Sequence, residues 1–253
     1  MPSAASETGV NPLPEREQAT SLSAQAYRII LKRILQGRIP IGGELSRRKL
    51  SAELGMSILP VSEALARLQD EGIAESQPRV GTRVRRPTAL DVRELYEMRE
   101  ALECQTARLF SRAATARDRE SLMEMALRVD ELYNGLPQAG NDPDYRYTVM
   151  EHHARFHLRI AEVGKCFALY TALEKNQVLS FCWLYYNAAH RPAPPPHFHS
   201  EFVNELCSGD EEAADKAMRE HVRHGVTEFA RATMLEPVPV RQPVIPPLRQ
   251  EFP

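Results

Sequence analysis

The feature that most constrains this chain is a pair of short amphipathic helices followed by a hairpin, within residues 43–84. Gly55 follows the first helix, where glycine adopts a left-handed C-cap without strain. Ser57 then stands at the N-cap position of the second, where its hydroxyl is predicted to cap the helix. Apolar residues recur at helical spacing, so each helix is predicted to bury one face. They are Leu45, Leu50, Leu54, Val61, Leu65 and Leu68. The pattern predicts a helix-turn-helix.

After this pair the pattern changes to a short two-stranded hairpin. Residues 73–76 and 81–86 are the predicted strands, with the tip between them, and the returning strand carries Arg83, Arg85 and Arg86. A helix-turn-helix followed by a basic wing has a shape that enters DNA grooves. The region therefore predicts a winged-helix DNA-binding module.

The charge of the chain is unevenly distributed. Residues 22–88 contain 12 Lys or Arg and 6 Asp or Glu, whereas the whole chain has a formal net charge of −2. A basic module on an otherwise acidic chain is typical of phosphate binding confined to one domain. The alternative is a random scatter of surface charge, but the sign changes at the boundary of the helix-turn-helix.

The predicted fold class is mainly α, with an N-terminal winged helix-turn-helix and a C-terminal antiparallel α-helical bundle. The domains are expected to be a disordered leader (1–21), the winged helix (22–87), a helical effector-binding and dimerisation domain (88–234) and a proline-rich tail (235–253). A P-x-x-P ligand is an alternative interpretation of the tail. A first helix is predicted near 23–36, and later helices near 89–114, 117–134, 144–163, 166–188, 198–208 and 211–234. Thr88 and Asp91 form a predicted capping box.

Composition excludes several classes of protein. The chain is 43% hydrophobic, and it contains no apolar run long enough to span a bilayer. The first 20 residues lack the basic and apolar regions of a secretory signal. No C-x-x-C spacing occurs, which favours reduced thiols and a cytoplasmic location without a membrane partner. The cysteines are Cys104, Cys166, Cys182 and Cys207.

Several short motifs occur together and in a fixed order. They are Gly43-x-Leu45, Arg48-x-Leu50-Ser51, Leu54-Gly55-Met56-Ser57, Pro60-Val61-x-Glu63-Ala64-Leu65, Arg67-Leu68, Glu71-Gly72 and Gly81-Thr82-x-Val84. Taken together they resemble the winged helix of GntR-type transcription regulators. Arg99-x-x-Leu102-Glu103 resembles the start of the FCD ligand domain of their FadR-like branch. The resemblance implies a homodimeric regulator, usually a repressor, that binds double-stranded operator DNA under the control of an effector.

The second helix of the motif departs from the family pattern. The family usually reads S-R-T-P-V-R-E-A-L, whereas this chain has Ile58 and Ser62 in place of both arginines. Arginine is the usual reader of guanine and contributes about 1–3 kcal/mol per base. We therefore predict weaker or unusual operator recognition, and a regulator that has lost specific DNA binding is an alternative. The candidate DNA-binding residues are Arg47, Arg48, Ser57, Pro60, Ser62, Arg79, Gly81 and Arg83.

All eight histidines lie between residues 152 and 224. His153 and His157 are spaced i and i+4, so both imidazoles lie on one helix face and can share a metal ion. The family resemblance implies two more ligands, His199 and His221, from their spacing to Asp210. The sequence thus predicts a metal site with donors from three helices.

The first of these ligands is unusual, because the family pattern has aspartate where this chain has His153. An imidazole in place of a carboxylate removes one negative charge and shifts the preference towards zinc, with nickel or cobalt as alternatives. An anionic effector would supply the missing charge, so we predict a small organic acid. His197 is a register alternative to His199. The other histidines are interpreted as packed or surface residues: His152, His190 and His224.

Residues that could bind the effector lie on two predicted helices. By resemblance, Arg99 faces the ligand cavity, where its guanidinium could hold a carboxylate bidentately. An ion pair with Glu103 at i+4 is the alternative. Trp183, Tyr186 and Asn187 are candidates to line the pocket, although aromatic residues at this density more often form a core.

A metal-dependent enzyme is the alternative function. In that interpretation the histidines surround a metal-bound water and Glu151 acts as the base. No serine or cysteine lies in a recognisable nucleophile motif, and an enzyme does not need a basic winged helix. We therefore expect a regulator without enzymatic activity.

Overall fold

The computed structural model describes residues 21–77, 81–140, 142–176 and 193–233. The predicted tail and all but the last residue of the predicted leader lie outside these ranges. The N-terminal elements are α1 (Leu22–Leu35), α2 (Arg47–Leu54), α3 (Ile58–Asp70), β1 (Ala74–Gln77) and β2 (Gly81–Val84). The prediction of a winged helix-turn-helix is confirmed, and α1 agrees with its predicted bounds to one residue.

The core of the winged helix forms where α1 packs against α3. Five of the six apolar positions noted in the sequence are buried there: Leu45, Leu50, Val61, Leu65 and Leu68. The sixth, Leu54, is only partly buried and packs against the edge of this core. Helical spacing thus identified the buried face of α3 correctly, because residues three and four apart share one side of a helix.

The turn between α2 and α3 contains a left-handed glycine and an N-cap serine. Gly55 has a φ of 63°, which is the predicted left-handed C-cap. Ser57 has the extended backbone of an N-cap, but its hydroxyl forms no cap hydrogen bond, so that part of the prediction is wrong. A capping hydroxyl usually bonds the N–H of the second or third helical residue. Here the third is Pro60, which has no N–H.

Replacing Gly55 with alanine should lower the free energy of unfolding by about 1–2 kcal/mol, the cost of a left-handed conformation for a residue with a Cβ. No heavy atom lies within 4 Å of the added Cβ, so steric overlap does not contribute. Urea denaturation measures the loss. Gly55→Asn is the control, because asparagine tolerates this conformation better. Equal losses in both variants would contradict the explanation.

The wing is a two-stranded antiparallel hairpin in which Ala74 pairs with Val84 and Gln77 with Gly81. The returning strand ends at Val84, two residues before its predicted end. Residues 42–45 run along the outer edge of β2. The N–H of Leu45 donates to the carbonyl of Thr82 at 2.8 Å. The wing is thereby attached to the start of α2.

The C-terminal half is helical, as predicted. Its helices are α4 (Ala89–Ala113), α5 (Ala116–Asn134), α6 (Leu136–Ala139), α7 (Pro143–Val163), α8 (167–176, the described part), α9 (Phe198–Leu206) and α10 (Glu211–Thr233). The capping box of Thr88 and Asp91 is confirmed at the start of α4. A second one, at Thr115 and Asp118, begins α5. The short helix α6 was not predicted.

These helices pack as a bundle in which α4 contacts α7 and α10, while α5 contacts α7 and α9. Large side chains fill the interior between them, among them Phe110, Phe156, Ile160, Leu206 and Met218. Because α7, α9 and α10 share this interior, side chains that are about 70 residues apart in the chain meet there. No helix in the described part of the chain is long and apolar enough to cross a membrane.

The cysteines of the described segments are free thiols: Cys104, Cys166 and Cys207. Cys104 is buried, and burial raises the pKa of its thiol to about 12. Burial also raises the pKa of Cys207. Both therefore remain protonated at neutral pH, and a protonated thiol is a poor metal ligand. Cys182 lies outside the described residues.

Candidate functional sites

Three histidine side chains converge in the interior of the helical bundle. His153 and His157 lie one turn apart on α7, and His221 projects from α10. The Nε2 of His157 is 3.0 Å from that of His153 and 3.3 Å from that of His221. One ligand nitrogen from each of the three lies within 4.8 Å of the others. We call these residues the histidine cluster.

Burial keeps two rings of this cluster, those of His153 and His221, uncharged. His157 and His221 are 1% and 7% exposed, and His153 is partly buried. Burial lowers the pKa of His153 and His221 well below the usual range, and repulsion from neighbouring histidines lowers it further. A neutral imidazole has a lone pair on one nitrogen, which is the form that binds a metal ion.

The other nitrogen of two of these rings already has a partner. The Nδ1 of His157 lies 2.5 Å from Oε2 of Glu103, a fully buried carboxylate on α4. The Nδ1 of His153 lies 3.1 Å from the hydroxyl of Tyr133 on α5. A partner on the Nδ1 side orients the ring and leaves Nε2 facing the centre of the cluster. Such partners typically surround histidine ligands of metals.

The fourth predicted ligand, His199, lies beside the cluster. Its ring centroid is 4.9 Å from that of His153, and it stacks on Tyr133. Its nitrogens do not belong to the group that lies within 4.8 Å. The structure therefore brings all four rings together, but only three of them converge on one point.

Asp130 on α5 holds His199 in place at the start of α9. Its two carboxylate oxygens accept bonds from the backbone N–H and Nδ1 of His199, and from the backbone N–H and hydroxyl of Ser200. Burial would raise the pKa of Asp130, but these hydrogen bonds outweigh it and lower the pKa to about 2. Asp130 is therefore ionised at neutral pH and keeps the Nδ1 side of His199 occupied.

Arg99 lies close to the cluster and is itself paired. It is 5% exposed, and its Nε donates to Oε1 of Glu103 at 2.7 Å. Burial would raise the pKa of Glu103, but the charges of Arg99 and His157 outweigh it and lower the pKa to about 2. The ion-pair interpretation of Arg99 is thus the one observed. Because the contact uses only Nε, it does not exclude a second carboxylate at the terminal nitrogens.

Other predicted residues lie elsewhere or outside the described segments. Glu151, the base of the enzyme alternative, lies two positions before His153 and so on another face of α7, where Arg155 contacts it at 3.0 Å. His197 is the N-cap residue before α9 and has a left-handed backbone conformation. Trp183, Tyr186 and Asn187 lie outside the described residues, as does His190.

The second candidate site is the surface of the winged helix. Four predicted DNA-binding residues are exposed there, namely Arg47, Arg48, Ser57 and Gly81. Ser62 is half-buried, and Arg83 donates from Nη1 to the carbonyl of Gly42 at 3.1 Å. Pro60 is buried in the first turn of α3, so its side chain is not available to DNA in this conformation. Arg79 lies outside the described residues.

Two known domain families match consecutive parts of this chain. Residues 22–84 match the family described as "Bacterial regulatory proteins, gntR family", and residues 94–224 match the FCD domain. The chain belongs to the GntR family. It is a DNA-binding transcription regulator with an FCD domain, as the sequence motifs predicted, and the relatives described below are named as regulators.

Curated proteins that are similar in sequence to this chain are named as transcription regulators. RspR of Escherichia coli K12, named as a transcriptional repressor, is 24% identical over 228 residues, covering 89% of this chain and 93% of that protein. A probable D-xylose utilization operon transcriptional repressor of Paenarthrobacter nicotinovorans is 38% identical over 95 residues. That match spans 38% of this chain and 42% of that protein.

Solved structures of GntR regulators share the fold. A putative transcriptional regulator from Rhodococcus sp. RHA1 aligns with a TM-score of 0.67 at 21% identity, covering 83% of this chain and 98% of that one. McbR/YncC of E. coli aligns with a TM-score of 0.63 at 20% identity over the same shares. These likenesses confirm the mainly helical fold with its N-terminal winged helix.

Proposed function

We propose that this GntR regulator senses a small organic acid through a metal ion held in its helical domain. The observation that carries the proposal is the convergence of three Nε2 atoms, from His153, His157 and His221, within a buried space. Buried imidazole nitrogens that approach to 3.0–3.3 Å are favourable where they share a proton or a cation. His199 would provide a fourth donor or contact the effector.

The donor chemistry favours zinc. The three converging groups are imidazoles, which suit zinc, nickel and cobalt, whereas magnesium and calcium prefer oxygen ligands. His153 contributes to this choice because it supplies nitrogen at a position where the family pattern has a carboxylate. When bound, the ion would supply a Lewis-acidic positive centre for an anionic ligand. Glu103 and Tyr133 would hold two of the imidazoles in the required orientation.

The charges around the cluster favour an anionic effector. No carboxylate lies among the three converging donors, so they would leave a dication uncompensated. Glu103 is shared between Arg99 and His157, and Asp130 is engaged at the start of α9. The terminal nitrogens of Arg99 would pair with the carboxylate of such a ligand. The effector class we propose is therefore a small organic acid.

The helix that carries His153 and His157 also contacts the DNA-binding module. The N-terminal end of this helix, α7, lies against the residues that follow α1. There Asp144 accepts a hydrogen bond from Gln36 at 2.9 Å and contacts Arg38 at 3.2 Å. A shift of α7 on effector binding would move these contacts and change how the winged helices of a homodimer fit a two-fold operator. We propose repression as the output.

The test compares metal-free and zinc-loaded protein, prepared by dialysis against EDTA with and without later addition of zinc. Thermal unfolding is followed with malate, with succinate and with succinamide, a neutral analogue. A carboxylate present at about 100 times its dissociation constant adds roughly 2.7 kcal/mol, or about 5–10 °C in the unfolding midpoint. We expect this rise for at least one acid, only with zinc present, and none for succinamide.

Two results would overturn the proposal. One is an absence of zinc binding by the metal-free protein in calorimetry, which would remove the metal site. The other is a midpoint shift that is the same with and without zinc, or the same for the acid and its amide, which would remove the role of the ion or of the charge.

A further inference from the structure

The first turn of α3 presents two large aliphatic side chains to solvent. Ile58 is 58% exposed and Leu59 is 67% exposed. The later apolar residues of the same helix, such as Val61 and Leu65, are fully buried. Ile58 and Leu59 thus contribute little to the core, and their burial on folding does not explain why apolar residues occupy these positions.

Their position in the fold suggests what covers them. In a helix-turn-helix the N-terminal residues of the second helix contact base edges in the major groove. Arg47 and Arg48, exposed at the start of α2, belong to the same motif and could contact the phosphates beside that groove. An apolar first turn with exposed arginines beside it is complementary to the major groove, where apolar methyl groups lie between the two phosphate backbones of the duplex.

One feature of the major groove is complementary to aliphatic side chains. Thymine exposes its C5-methyl group there, whereas guanine offers only acceptors that an arginine would read. Ile58 stands where the family pattern has such an arginine, and it cannot donate a hydrogen bond. An aliphatic group loses less by facing a methyl group than by facing an unpaired acceptor.

We propose that Ile58 and Leu59 recognise thymine methyl groups, so that this regulator selects A·T pairs where an arginine would select guanine. The proposal rests on the family's DNA binding through α3. Loss of the arginines is therefore a change of specificity and not a loss of specific binding. Each buried methyl group should contribute about fourfold in affinity.

The test begins with sites selected from a randomised duplex library by the full-length protein. Each thymine of the selected site is then replaced in turn by deoxyuridine, which removes only the methyl group. We expect about fourfold weaker binding at one or two positions in each half-site, measured by gel shift at one fixed salt concentration. In Ile58→Ala or Leu59→Ala the thymine and uracil duplexes should bind equally at the matching position.

A control variant separates this effect from a general loss of exposed apolar surface. Leu127 on α5 is 50% exposed, so Leu127→Ala removes a similar side chain far along the chain from α3. Leu127→Ala should keep the full wild-type difference in affinity between thymine and uracil duplexes. Ile58→Arg should instead shift the selected sites towards guanine.

Three outcomes would overturn the inference. Duplexes with uracil could bind as tightly as those with thymine at every position, or the alanine variants could keep the wild-type difference in affinity between the two duplexes. Sequence-independent binding that is unchanged in Ile58→Ala and Leu59→Ala would point to a partner protein as the occupant of this surface. A chain that binds no duplex at all would contradict DNA binding itself, which is a distinct failure.

Discussion

Replacing His157 with alanine is expected to lower zinc affinity by more than about 100-fold, because loss of a partner behind a ligand alone already costs 10–100-fold. His157 is central to the cluster, since its Nε2 lies within 3.3 Å of both other Nε2 atoms. It is also the ring that Glu103 orients. Calorimetric titration of EDTA-treated protein with zinc measures the change.

His152 provides the matched control on the same helix. Its Nδ1 bonds the carbonyl of Thr148 at 2.9 Å, within its own helix, and it does not belong to the cluster. His152→Ala should keep wild-type affinity for zinc. Circular dichroism of both metal-free variants distinguishes the loss of a ligand from a loss of fold. An affinity that falls equally in the two variants would contradict the assignment of His157.

Glu103→Gln should lower the free energy of unfolding of the metal-free protein by about 3–5 kcal/mol, because it leaves a buried guanidinium without its counter-charge. The side chains of Arg99 and Glu103 are 6% and 0% exposed. Solvent therefore cannot replace the lost carboxylate. Urea denaturation followed by circular dichroism measures the change.

A surface pair tests the role of burial. Arg112 and Glu211 also lie 2.7 Å apart, but their side chains are 64% and 37% exposed. Glu211→Gln should therefore change stability by less than about 1 kcal/mol. Adding Arg99→Met to Glu103→Gln should recover part of the loss, since it removes the isolated charge. A loss below 1 kcal/mol in Glu103→Gln alone would show that Arg99 finds another partner or reaches water.

Local sequence rules predicted the helix bounds and one pair of histidines, but not the histidines that join them from other helices. The bounds of α1, α4 and α5 agree with prediction to within one residue, because apolar period, caps and breakers act within a few positions. The pairing of His153 with His157 is equally local, since i and i+4 always share a helix face. His199 and His221 needed the family resemblance, because no local rule relates residues on different helices.

The partners of the histidines were missed. Glu103 was considered only as a partner of Arg99, and nothing in the sequence near Asp130 or Tyr133 indicates a contact with α7 or α9. These contacts join residues that are 20 to 69 positions apart. The burial of Pro60 was also missed. The absence of a hydroxyl cap at Ser57 could have been predicted from the sequence, because Pro60 has no N–H to donate to that hydroxyl.

By itself, the sequence determined the helices, the helix-turn-helix, the basic wing and one pair of candidate metal donors, because periodicity, caps and i, i+4 spacing act over a few residues. Only the tertiary structure decided that His221 joins this pair while His199 lies beside it, and that Glu103 serves both Arg99 and His157. Those outcomes depend on how α4, α5, α7, α9 and α10 pack, and packing is a property of the whole bundle. Burial in that bundle also lowers the pKa of His153 and His221 and so keeps these side chains neutral and able to bind a metal ion.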